Sequence, residues 1–92
     1  MFVISDDLHD ETAGEFSSFD DAVGGVQQLA TVSWDEEPNL APCTSWRTCG
    51  RHYEMVEYDD SPLPWHEVRR YPAVQIDASG VKWADPFPPV GA

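Results

Sequence analysis

The sequence predicts a small two-layer α+β domain, with one amphipathic helix at about residues 18–31 packed on an antiparallel sheet of four or five strands. Three observations carry this. A capped segment has its apolar residues on one face. Several short runs rich in Val, Ile, Tyr and Trp follow it, separated by turn residues. A lone helix with one apolar stripe also needs a sheet to cover it. The chain has 92 residues, 41% hydrophobic and 12% aromatic, enough for one modest core.

Phe2-Val3-Ile4 opens a strand over residues 2–6. Residues 6–15 are acidic, contain Gly14 and are expected to form a loop. Ser18 then supplies a hydroxyl N-cap, with Asp20 and Asp21 in the first turn, where the helix dipole favours anions. Phe19, Ala22, Val23, Val26, Leu29 and Ala30 fall within an arc of roughly 120°. Gly24 and Gly25 are expected off that face, as local weak points.

Residues 33–50 carry no period and contain Pro38, Pro42 and Gly50, so a long structured loop is expected. Strand character returns at Arg51 to Asp59. There Tyr53 and Met55 share one face and His52, Val56 and Tyr58 the other, an imperfect pattern that partial cover on both faces or a bulge would explain. A turn cluster, Asp59 to Pro64, leads to a returning strand at 65–71. Pro72 is expected to interrupt it. Val74 and Ile76 begin another strand, Ala78-Ser79-Gly80 turns, and Val81-Lys82-Trp83 comes back. The domain is thus expected over 1–85, with 86–92 an extended or disordered Pro-rich tail carrying one P-x-x-P match.

Formal charge is −12, unevenly spread. Residues 1–46 hold ten acids and no Lys or Arg, while residues 47–92 hold seven acids and all five basic residues. This field disfavours phosphate backbones and anionic lipid surfaces and favours a basic protein partner. No apolar run approaches the roughly 20 residues that span a bilayer, and no secretory signal pattern opens the chain, so a cytoplasmic location is expected.

The segment Trp34 to Tyr53 concentrates costly residues: both cysteines, two tryptophans and the first two arginines. Loops normally use cheaper polar residues, which makes 33–52 the candidate functional region. Trp34, Trp46, Arg47 and Arg51 are the residue types of interface anchors, and the competing role for the tryptophans is to seal a small core. Cys43 and Cys49 admit three roles: buried thiols, a disulfide, or zinc ligands with His52 and perhaps His66 opposite it. The Cys-x5-Cys spacing lies outside the usual zinc knuckles. No arginine follows either cysteine at the spacing of a phosphatase-type loop, and the nucleotide-binding, metalloprotease and serine-hydrolase motifs are absent. The sequence therefore points to a non-enzymatic interaction domain with no cofactor, the alternative being a small zinc-binding or cysteine-dependent site on Cys43, Cys49 and His52.

Overall fold

A computed structural model describes residues 1–40 and 50–88. Its elements, in chain order, are β1 (Phe2–Asp6), β2 (Glu11–Phe16), α1 (Phe19–Leu29), β3 (Arg51–Asp59), β4 (His66–Asp77) and β5 (Gly80–Trp83). They form one antiparallel five-stranded sheet, ordered β2-β1-β3-β4-β5, with α1 on one face. This is the α+β class the sequence predicts.

Helix α1 begins where expected. Ser18 has extended backbone geometry and its Oγ accepts the Asp21 amide at 3.1 Å. Ala22, Val23, Val26 and Leu29 are buried. Val26 and Leu29 meet Ile4, Tyr53, Val74 and Ile76, while Ala22 and Val23 meet Met55 and Tyr71. Each large aliphatic side chain so enclosed contributes about 1.5–3 kcal/mol. Edge-to-face contacts of Phe19 with Phe2 (5.8 Å) and Tyr71 (6.3 Å) close the N-terminal end of this layer.

Three local expectations are corrected. First, residues 11–16 form strand β2, not loop. The Asp6 carboxylate accepts the Leu8 amide at 3.0 Å, turning the chain tightly, and β2 pairs back along β1 with Phe16 opposite Phe2. Phe16 packs against both core clusters, which outweighs the poor strand propensity of this stretch. Second, Gly25 faces the sheet. A Cβ there would sit 2.5 Å from the Phe16 ring and 3.0 Å from Ile4, so glycine permits close packing of helix on sheet. Gly24 does point to open space.

Third, β4 runs straight through Pro72. The register steps between Tyr53/Glu54, leaving Ala73 as an extra residue, and again between Glu57/Tyr58, leaving Val68 extra. Beyond β4, β5 pairs only with Val74–Asp77, so Pro72 has no strand on that side. Both extra residues lie on β4 and shift its alternation; that of β3 is unbroken in register, and its pattern is imperfect because Val56 is buried on the face away from α1. Phe87, in the segment the sequence assigns to the tail, packs against both core clusters and stacks on Trp83 at 5.4 Å. No helix among the described residues is long and apolar enough to cross a membrane.

Candidate functional site

At one end of the sheet, β1, β2, β3 and the 33–40 segment converge on a single buried guanidinium. Asp6 shares the parity of Phe2 and Ile4, and Arg51 that of Tyr53 and Met55. Both charged side chains therefore enter the layer that α1 covers. Arg51 is 8% exposed and Asp6 is 1% exposed.

Every N–H of the Arg51 guanidinium has an acceptor. Nη1 donates to Asp6 Oδ2 at 2.9 Å and to Glu11 Oε1. Nη2 donates to the carbonyls of Leu40 (2.9 Å) and Pro38 (3.3 Å), and Nε to that of Asn39 (3.3 Å). Asp6 is equally occupied. Besides Arg51 and the Leu8 amide, it accepts the His52 amide at 3.0 Å and lies 2.7 Å from His9 Nδ1. Burial pushes the Asp6 carboxyl up, but these donors, Arg51 first, outweigh it and hold it below the usual carboxylate value. Burial likewise works against the Arg51 charge, and its pairing with Asp6 and Glu11 more than restores it.

Asn39, buried beside them, joins this hub to the helix. Its Nδ2 donates to the Leu29 carbonyl at 2.8 Å and the Val32 carbonyl at 2.9 Å, satisfying the C-terminal end of α1. Its Oδ1 accepts the Tyr53 hydroxyl at 2.9 Å. The Tyr53 phenol is pushed up to about 12, chiefly by burial; Arg51 partly offsets this, and Asp6 and Glu11 reinforce it. The buried side-chain polar atoms of the described residues all have partners. With its lone pairs engaged by four donors, Asp6 is placed as an anchor for chain rather than as a proton acceptor for a substrate.

Leu40 and Gly50, the described residues on either side of 41–49, are both closely packed or bonded. Leu40 is tied through its carbonyl to Arg51. Gly50, immediately before Arg51, lies so close to Ile76 and Asp77 that a Cβ would strike the Ile76 carbonyl. Trp34 is half-buried and packs against the cluster of Leu29, Val74 and Ile76. Trp46, Arg47, Cys43 and Cys49 lie outside the described residues. Arg51, grouped from the sequence with surface anchors, is buried and points inward.

His52 is half-buried on the sheet face away from α1, opposite Gln75. His66 is opposite Asp59, seven residues further along β3, hence about 20 Å away. The register thus corrects the expectation that His66 lies across from His52. Among the described residues, no His, Cys, Asp and Glu side chains gather into a group that could hold a metal ion.

Asp6, Asn39 and Tyr53 were not singled out from the sequence. The available signal was parity: an acid ending the apolar alternation of β1 and a base opening that of β3, both on the inward side. Comparison with protein-family models, with curated proteins and with solved structures finds no match to this chain.

Proposed function

We propose that this chain is a small acidic, non-enzymatic interaction domain that presents its 33–52 segment to a basic protein partner. One observation supports this above the others. A single saturated guanidinium, Arg51, ties the 38–40 carbonyls to β1, β2 and β3, giving the segment a fixed base. A rigid base reduces the ordering cost that a binding loop incurs on association. Trp46 and Arg47 are the contacting residues in this reading, Trp34 seats the segment on the core, and Arg51 acts from beneath.

The acidic first half supplies the field. Asp10, Glu11, Asp35, Glu36 and Glu37 are exposed around this end of the molecule. They speed encounter with a basic surface and make that encounter sensitive to salt. The same reading sets the domain in a reducing cytoplasm, where Cys43 and Cys49 stand as thiols.

The test is capture from cell lysate with the full chain and with Trp46→Ala, each quantified by mass spectrometry. A basic protein retained by the wild type and reduced about tenfold or more by Trp46→Ala is expected, as for an interface anchor. Retention of the same set by both proteins would remove the reading's basis.

A further inference from the structure

We infer that the free edge of β5 is a strand-addition site for an extended partner segment with apolar residues at alternate positions and an acidic residue between them. Among the described residues, the outer edge of β5 has no neighbouring strand. The Ala84 amide donates to the Ala73 carbonyl at 2.8 Å, and Lys82 lies opposite Gln75. Residues of an antiparallel strand alternate between facing one neighbour and facing the other. Ala84 and Lys82 turn toward β4, so Val81 and Trp83 turn their N–H and C=O groups outward.

The same two residues carry exposed apolar side chains. Val81 is 44% exposed and Trp83 46%. Opposite Ile76 and Val74, they lie on the helix side of the sheet, extending its apolar layer past the last strand. A groove of about 280 Å³ continues from Val81 toward the end of α1, lined also by Thr31, Val32, Trp34 and Ile76. An added strand would place its own apolar residues over Val81 and Trp83 and beside this groove, while its backbone pairs with theirs.

Charge selects the occupant. Lys82 sits between the two apolar residues on the other face, is exposed, and makes no ion pair among the described residues. An acidic residue on the added strand, directly opposite, would pair with it. A second copy of the chain fits worse. The register that sets Val81 of each copy over Trp83 of the other brings Lys82 against Lys82, between two chains of charge −12 each. This surface borders the 33–52 segment at Trp34, but its strand pairing rests on Val81 and Trp83, so Trp46→Ala is expected to leave it unaffected.

The experiment is selection of a random peptide library on the full wild-type chain, followed by affinity measurement of enriched peptides on two variants. Val81→Pro removes one outward N–H without touching the ladder to β4, and circular dichroism reports whether it folds. Lys82→Glu alters only an exposed charge. Enrichment of an apolar-acidic-apolar alternation is expected, with affinity lowered about tenfold or more by Val81→Pro. Lys82→Glu is expected to reverse the preference from an acidic to a basic central residue. Overturning results are the absence of enriched peptides, undiminished binding to folded Val81→Pro, or an acidic preference retained by Lys82→Glu. Self-association in light scattering that Val81→Pro abolishes would also overturn it, assigning the edge to a second copy.

Discussion

Arg51→Ala is the perturbation that the structure prices most directly. It leaves Asp6, 1% exposed, without its cationic partner while the His52 and Leu8 amides stay in place. Removing one member of a buried ion pair costs about 3–5 kcal/mol. Glu11, half exposed, adds little, because a solvated pair is worth about 0–1 kcal/mol. Pro38 and Leu40 are exposed residues whose carbonyls can turn to water, while the carbonyl of buried Asn39 loses its donor. Total stability for 92 residues is about 5–14 kcal/mol, so the substitution removes a large share of it. At about 4–8 °C per kcal/mol, the Tm falls by about 12 °C or more. Urea unfolding of the wild type, Arg51→Ala, Asp6→Ala and the double variant measures this, with an expected coupling of about 1–3 kcal/mol. A loss from Arg51→Ala below about 1 kcal/mol, or single effects that simply add, would refute the claim that this pair supports the fold.

Four further outcomes follow from the structure. Asp6 has a folded pKa below its ordinary value, so its contribution is full above about pH 4 and is lost as pH falls through the folded value; Asp6→Asn is expected to flatten the acid side of the stability–pH curve, measured by urea melts. Tyr53, raised to about 12, contributes stability that is complete below its unfolded pKa near 10 and is lost as pH rises toward about 12. The ultraviolet difference titration of wild type against Tyr53→Phe should therefore show its phenolate only near the upper value. Gly24→Ala, into open space, should gain about 0.5–1 kcal/mol of helix propensity. Gly25→Ala should instead lose stability by about 1–3 kcal/mol through contact with Phe16 and Ile4, read like Gly24→Ala from urea melts.

The helix and the class of fold were legible because they depend on local signals: the Ser18 cap, the acids after it, and a single apolar face. β2 was hidden because its sequence, Glu11-Thr12-Ala13-Gly14-Glu15-Phe16, has little strand propensity; pairing with β1 and the burial of Phe16 decide it. Pro72 misled because its strand has a bulge beside it and no neighbour on its far side, neither of which leaves a local mark. Gly25 misled because a glycine looks the same whether it is exposed or pressed against a ring. At the site, the composition of the 33–52 segment was visible, but the inward turn of Arg51 was not drawn from it. Its parity with Tyr53 and Met55, and that of Asp6 with Phe2 and Ile4, held the information. Only the register of β1 against β3 sets the opposite charges side by side.

The account rests on Arg51 fixing the base of the 33–52 segment, and amide hydrogen exchange in Arg51→Lys tests it most directly. Lysine keeps the charge beside Asp6 but lacks the planar fork that reaches the Pro38, Asn39 and Leu40 carbonyls. Faster exchange of the Glu36-bonded amides of Asn39 and Leu40, with β4 and β5 unchanged, is the predicted result. Unaltered protection at Asn39 and Leu40 in a folded Arg51→Lys protein would contradict it.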